Sequence, residues 1–231
     1  MAPSRAPTKL PRHCRRDLVT HPFKRNYRSD FDLTDPELSE RWDEVVADLH
    51  AHCPVARSEV GEGYWVVHSY KDVAQCSKDW RTFSSAEGFM VNRPEGMPYF
   101  PPAEVDPPVR RVKKDVEVHG VKMCAGDRVL LSYGAACRDP ALWSEPNKVD
   151  LDRGATAHLA FGAGVHRCIE ESLARVVLRA GYEEFLKRIP DFSVAPDFVP
   201  EYETGSTRHM VSLPLKFSAS QPRGTSEGCP R

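Results

Sequence analysis

The segment Phe161-Gly-Ala-Gly-Val-His-Arg-Cys168 constrains the chain most, because it places a cysteine at the end of a glycine-bent loop. The residues after Cys168 show helical spacing, and the positive end of a helix dipole favours a thiolate. Gly162 and Gly164 give the backbone the freedom to approach a large flat ligand closely. A lone cysteine is usually an inert core residue, but the two glycines and the nearby His166 favour a thiolate ligand here.

The same segment resembles the haem-binding loop of the cytochrome P450 family, whose pattern is Phe-Gly-x-Gly-x-(His/Arg)-x-Cys-x-Gly. The resemblance implies that Cys168 is the axial thiolate of haem b (iron protoporphyrin IX). It also implies that Phe161, Gly162 and Gly164 shape the cofactor loop, and that His166 reaches a haem propionate. In this family the thiolate pushes electron density onto iron and favours O–O cleavage.

One position departs from the family pattern, since Glu170 stands where the family has glycine. A carboxylate two residues after Cys168 adds bulk and negative charge near the proposed ligand. Two interpretations stay open at this stage. Glu170 either disfavours the thiolate or is tolerated as an acid in the first turn of the following helix.

A second candidate for cofactor binding is Arg110, which lies five residues before Asp115. This placement resembles the family's strand arginine that pairs with a haem propionate. The alternative is a solvated basic patch, since exposed clusters of lysine and arginine are common. The patch would comprise Arg110, Arg111, Lys113 and Lys114.

The resemblance predicts an α+β fold, namely a partial cytochrome P450 fold with most central helices missing. We expect an amino-terminal helix/strand unit, then a β-rich meander, the cysteine loop and a proximal helix. Four segments are predicted: a basic, disordered arm over 1–29, an amino-terminal family block over 30–108, a carboxy-terminal haem-loop block over 109–217, and a disordered tail over 218–231.

Local patterns predict individual elements. Thr34 is expected to cap a helix whose apolar stripe runs from Leu38 to Leu49. Further predictions are a strand at 63–67, a helix at 70–77, strands at 115–118 and 127–132 in a hairpin region, a helix ending near 190, and late strands at 192–196 and 210–215.

A long helical section is missing between the two family blocks. Asp106-Pro-Pro108 runs directly into Val109, and no Glu-x-x-Arg pair stands in the expected place. The family's long distal helix, with its acid–alcohol pair, is therefore absent, which suggests an internal deletion beside Pro108. Oxygen activation needs a water-excluded pocket and a proton route. These requirements disfavour catalysis by this chain alone, and we expect exposed apolar helix stripes.

Composition excludes several other classes. A net charge of −1 gives no general attraction to nucleic acid, and no run approaches the roughly 20 apolar residues of a membrane helix. The seven cysteines form no Cys-x-x-Cys pair, and no secretory signal precedes them. We therefore expect reduced thiols in the cytoplasm, with neither a membrane nor nucleic acid as partner.

Three hypotheses about function follow. The first is a monooxygenase of the cytochrome P450 type that oxidises a small organic substrate with O₂, using electrons from ferredoxin and ferredoxin reductase. The second is a non-catalytic relic that binds haem weakly or not at all. The third is a small haem-binding or partner-binding module. Whether the chain is an enzyme is left open.

Overall fold

The computed structural model describes residues 22–85, 109–153, 158–203 and 209–218. The chain divides into two compact units. Unit 1 comprises Met1–Cys168 and Thr204–Arg208, and unit 2 comprises Ile169–Glu203 and His209–Arg231. The proposed deletion point beside Pro108 lies outside the described residues.

Unit 1 mixes short helices with a five-stranded sheet. Its helices are α1 (Pro36–Glu40), α2 (Trp42–His52), α3 (Tyr70–Lys78) and α4 (Tyr133–Ala136). Its strands are β1 (Val55–Ser58), β2 (Tyr64–Val67), β3 (Phe83–Ser84), β4 (Val109–Val112), β5 (Val116–Val118), β6 (Val121–Met123) and β7 (Arg128–Leu131). The mixture confirms the predicted α+β class.

The sheet of unit 1 has the strand order β1-β2-β7-β4-β3. Only the β2–β7 pair is parallel among these neighbours, and the other three pairs are antiparallel. Strand β2 is buried at all four residues because alternate side chains enter two cores. Tyr64 and Val66 belong to the core that also holds α2, whereas Trp65 and Val67 belong to the core that holds residues of α3 and the loop residues Leu159 and Ala163.

Unit 2 contains the helix α5 (Glu171–Arg188) and two small antiparallel ribbons. The strands are β8 (Phe192–Val194), β9 (Tyr202–Glu203), β10 (His209–Met210) and β11 (Leu215–Phe217). Strand β8 pairs with β11, and β9 pairs with β10. No residue of α5 is buried.

The predicted cap of the first helix was wrong. Asp35, rather than Thr34, caps α1 by accepting the amide hydrogen of Glu37 at 2.9 Å. Thr34 instead donates both its amide and its hydroxyl hydrogen to Asp32. The expected continuous helix is also divided, because Arg41 leaves helical geometry between α1 and α2.

The predicted hairpin pairs different strands from the two expected, at 115–118 and 127–132. Strand β5 pairs with β6 through the turn residues His119 and Gly120, which have φ values of 50° and 77°. Positive φ at both central residues is typical of the two-residue turn that fits a twisted hairpin. Strand β7 lies instead in the main sheet, between β2 and β4.

Two further expectations differ from the structure. The basic arm was predicted to reach residue 29, but Phe23 and Tyr27 are buried in the core beside Phe31. Their rings stack edge to face, which ties this end of the segment to α2 and the sheet. The second expectation was that the cysteines are reduced, but Cys53 is disulfide-bonded. The other described cysteines are free: Cys76, Cys124, Cys137 and Cys168.

Within the described ranges, no helix combines the length and the apolar character needed to cross a membrane.

Candidate functional site

The segment from Phe161 to Cys168 forms a loop that closes on itself. The backbone amide of Cys168 donates to the carbonyl of Phe161 at 2.8 Å. Gly162 and Gly164 both have a φ of 72°, a backbone conformation that residues other than glycine rarely adopt. A single 3-10 turn over Gly164–His166 lies between the two ends. The local backbone therefore sets where the sulfur of Cys168 stands.

The loop is anchored on the end of α3. Leu159 and Ala163 enter the core that contains residues of α3 and the β5–β6 hairpin. A Cβ atom placed on Gly164 would lie 2.8 Å from the Cα of Lys78 and 2.9 Å from the carbonyl oxygen of Ser77. Both are backbone atoms that cannot easily yield, so glycine is required at position 164 for this close approach.

The thiols of unit 1 differ in their surroundings. Burial raises the pKa of Cys76 to about 12 and also raises the pKa of Cys137, whose sulfur accepts the amide hydrogen of Leu159. Both thiols are therefore held in the neutral form. Cys168 is free and, as a residue, only partly buried.

Glu170 does not lie in the first turn of the helix. It is the N-cap residue of α5, it is exposed, and its side chain makes no capping hydrogen bond. The acid of the first turn is Glu171, which forms an ion pair with Arg175. Glu170 therefore lies at the N-terminus of the helix, one residue before its first turn, and both interpretations of its effect on Cys168 stay open.

His166 is partly buried and lies against the end of β3. Its Nε2 atom is 3.2 Å from the hydroxyl oxygen of Ser85, which is itself buried. Ser85 directly follows β3, and β3 pairs with the strand β4 that carries Arg110. The imidazole is thus attached to the sheet edge next to the strand of the second candidate residue.

Arg110 is buried, with only 1% of its surface exposed. Its Nη1 atom donates to the carbonyl of Val109 at 2.9 Å, and its Nη2 atom lies 3.5 Å from the hydroxyl of Tyr133. Lys113 and Lys114, by contrast, are exposed. Arg110 therefore does not belong to a solvated basic patch, although its neighbours do.

Three residues of this site escaped the sequence analysis: Ser77, Ser85 and Tyr133. Ser77 and Ser85 are buried hydroxyls, and Tyr133 is 56 positions from the serine it contacts. Their role depends on tertiary contacts, and no local pattern signals such contacts.

The donor set of unit 1 combines a soft sulfur ligand with two nitrogen groups. The thiol of Cys168, the imidazole of His166 and the guanidinium of Arg110 all belong to this unit. Thiolate suits a soft or borderline metal, while guanidinium and imidazole donate hydrogen bonds to carboxylates. These residue types would suit a metal-containing ligand that also carries acidic groups.

The family model for cytochrome P450 matches residues 101–216, half of the chain. A steroid C26-monooxygenase of Mycobacterium tuberculosis is 36% identical over 117 residues, covering 50% of this chain and 32% of the relative. A nocardicin C N-oxygenase of Nocardia uniformis is 39% identical over 110 residues, covering 47% of this chain and 28% of the relative. The chain thus spans at most about a third of the length of these curated relatives.

Similar solved structures include CYP108D1 from Novosphingobium aromaticivorans, at 37% identity and a TM-score of 0.45. That match covers 48% of this chain and 27% of the solved chain. Another is CYP105P1 in complex with filipin I, at 32% identity and a TM-score of 0.45, covering 49% and 29% of the two chains.

Proposed function

The chain belongs to the cytochrome P450 family, and from this premise we propose that it binds haem b through Cys168. Haem b is the cofactor of this family. The observation that supports the proposal is the loop that closes from Phe161 to Cys168 and ends in a free, only partly buried cysteine. Arg110 and His166 are proposed to hold the two haem propionates.

The residues present fit the proximal side of such a group. The thiol of Cys168 is the soft ligand that a haem-thiolate centre requires. A guanidinium and an imidazole in the same unit match two carboxylates, because charge-assisted hydrogen bonds to carboxylate are the strong ones. The positive φ of Gly162 and Gly164 sets the bend of the loop that ends at Cys168.

Each residue then has a defined task. Cys168 would hold the haem iron through its sulfur, and the backbone hydrogen bond from Cys168 to Phe161 keeps the loop that carries this sulfur closed. Arg110 and His166 would hold the cofactor through its propionates. When bound, haem supplies the one-electron and dioxygen chemistry of the family. The chain itself contributes ligation and orientation.

Oxidation of a small organic substrate, with electrons from ferredoxin and ferredoxin reductase, is the activity proposed for a complete member of this type. The matched region covers at most about a third of the length of these curated relatives. We therefore propose haem ligation for this chain and assign oxidation to a form that also carries the distal helix. Cytoplasmic location and the other predicted segment boundaries stay predictions.

The second candidate is a non-catalytic relic without useful haem affinity. The exposed apolar side chains of α5 favour it, because they leave this helix without the burial that normally stabilises one. Among these side chains, Leu173, Val176 and Tyr182 are each more than half exposed.

Haem titration of the purified chain separates the two candidates. We expect stoichiometric uptake and, after reduction under carbon monoxide, a Soret band at the position characteristic of thiolate ligation. Cys168→Ala should abolish that band. Cys124→Ala is the matched control, because Cys124 is also a free, partly buried cysteine of unit 1 and should leave the band unchanged.

Folded protein that takes up no haem would contradict the proposal and support the relic. Uptake with a Soret band that persists in Cys168→Ala would assign ligation to another residue.

A further inference from the structure

A one-directional hydrogen-bond chain runs behind Arg110. The hydroxyl of Ser77 donates to the carbonyl of Val73 at 2.7 Å. A serine hydroxyl has a single hydrogen to donate, so in the 3.1 Å contact between Ser77 and Tyr133 the tyrosine is the donor. The oxygen of Tyr133 is then an acceptor for the Nη2 group of Arg110 at 3.5 Å.

The three residues of this hydrogen-bond chain come from the strand β4 and the helices α4 and α3. Arg110 lies in the middle of the sheet, where its backbone pairs with Val129 of β7. Tyr133 is the first residue of α4, and α4 follows β7 after Ser132. Ser77 is buried in the last turn of α3, with 1% of its surface exposed. The tyrosine hydroxyl is therefore held between a strand and a helix.

Ser77 contacts both halves of the proposed haem site. Its hydroxyl continues the hydrogen-bond chain from Arg110 to the carbonyl of Val73, and its carbonyl oxygen would lie 2.9 Å from a Cβ atom placed on Gly164 in the cysteine loop. The same turn of α3 thus sets the position of the loop and, through Tyr133, that of the guanidinium.

We infer that Tyr133, backed by Ser77, is a positioning residue that orients the Arg110 guanidinium for a haem propionate. The inference rests on the proposed haem site. An arginine side chain loses rotamer freedom when it binds a carboxylate, and a group already held in place loses less on binding. Tyr133 therefore acts on cofactor affinity through Arg110 without touching the ligand sulfur.

The test compares haem affinity in Tyr133→Phe, in Ser77→Ala and in a matched control, Tyr64→Phe. Tyr64 is also a tyrosine of unit 1, is 2% exposed, and donates its hydroxyl hydrogen to the carbonyl of Phe31. Tyr64→Phe therefore removes a buried hydroxyl that does not contact Arg110. Loss of one hydrogen bond predicts about three- to tenfold weaker haem binding in Tyr133→Phe. We expect a smaller loss in Ser77→Ala and no change in Tyr64→Phe.

Haem dimethyl ester provides a readout that a merely structural role would not change. Its esterified propionates cannot form an ion pair, so Tyr133→Phe and the wild type should bind it equally. Tyr133→Phe should also add no further loss in an Arg110→Gln background. The Soret band of the carbon monoxide complex should keep its thiolate position in every variant except Cys168→Ala.

If the wild type shows the Cys168-dependent band, either of two outcomes would overturn the inference but not the proposed function. One is an equal haem affinity of Tyr133→Phe and Tyr64→Phe. The other is a loss of affinity in Tyr133→Phe that persists with haem dimethyl ester. A wild type without that band would overturn the proposed function and, with it, the inference.

Discussion

The helices α2 and α5 are both amphipathic, yet only α2 buries its apolar side chains. Helix α2 buries Trp42, Val45, Val46 and Leu49, whereas α5 buries no residue along its 18 positions. Local interactions support α5 instead, including the ion pair of Glu171 with Arg175 and that of Glu184 with Arg188. Apolar periodicity therefore identifies the face of a helix that is able to pack, but not whether the chain supplies a packing partner.

A leucine-to-alanine substitution in each of the two helices should give the largest difference in the free energy of unfolding. Leu49 is 1% exposed and Leu186 is 51% exposed. Leu49→Ala should lower the free energy of unfolding by about 2–5 kcal/mol, because it removes buried contacts and leaves a cavity. Leu186→Ala should change it by about 0.5 kcal/mol or less. Urea unfolding measures both. Equal losses would show that α5 is covered in solution.

Acid should destabilise unit 1 selectively, through the buried His68. Burial and the neighbouring His50 lower the pKa of His68 to about 4, while the hydrogen bond to the backbone of Cys53 and the charges of Asp139 and Asp72 oppose this shift. Its Nε2 atom lies 2.6 Å from the carbonyl oxygen of Cys53, so this nitrogen carries the hydrogen. In the unfolded chain the imidazole of His68 has its ordinary pKa of about 6.5, so the unfolded state takes up a proton first as the pH falls. The contribution of His68 to the free energy of unfolding should therefore be fully present above about pH 6.5. It should decrease by about 3 kcal/mol as the pH falls to 4.

Tryptophan fluorescence follows this loss in unit 1, because all four tryptophans lie before residue 168. His68→Gln should flatten the acid dependence, since glutamine retains a donor but does not titrate. His52→Gln is the control, because His52 is exposed, and it should keep the wild-type slope. An unchanged slope in His68→Gln would exclude His68 as the cause.

A glycine-to-alanine pair should give smaller effects of opposite sign. Gly164→Ala forces a side chain to a φ of 72° and against the backbone of α3, so we expect a loss of about 2 kcal/mol in unit 1. Gly181 lies inside α5 with no atom within 4 Å of its Cβ position. Gly181→Ala should therefore stabilise the helix by about 1 kcal/mol. Fluorescence measures the first variant, and far-ultraviolet circular dichroism measures the second.

A stabilising Gly164→Ala would contradict the close approach of the loop to Ser77 and Lys78. A destabilising Gly181→Ala would indicate that α5 has a close neighbour in solution.

The sequence predicted those features that short patterns encode. The helix at 70–77 is present as α3, where Ser69 caps the first turn through the amide of Asp72. The exposed apolar stripe of α5 was also expected, because the predicted partial fold lacks the central helices that would cover it. The positive φ at Gly162 and Gly164 agrees with the freedom that the glycines of the loop suggested.

Features that depend on distant residues were not predictable in this way. Strand β6 has three residues, too few for an alternating pattern to show, so its pairing with β5 was missed. The buried state of Arg110 was hidden by the charged residues around it, because only the pairing of β4 with β7 places this side chain inside. Tyr133 reaches Ser77 across the fold, and neither residue carries a local signature of that contact.

The parallel pairing of β2 with β7 also sets an order of events during synthesis. Trp65 pairs with Val129, so residues 64 positions apart must meet before the centre of the sheet exists. Contacts of such long sequence separation slow folding, and until they form β2 has an unpaired edge on the side away from β1. A nascent chain that ends before β7 therefore exposes an edge prone to aggregation, so chaperone demand should fall only once the residues of β7 have left the ribosome.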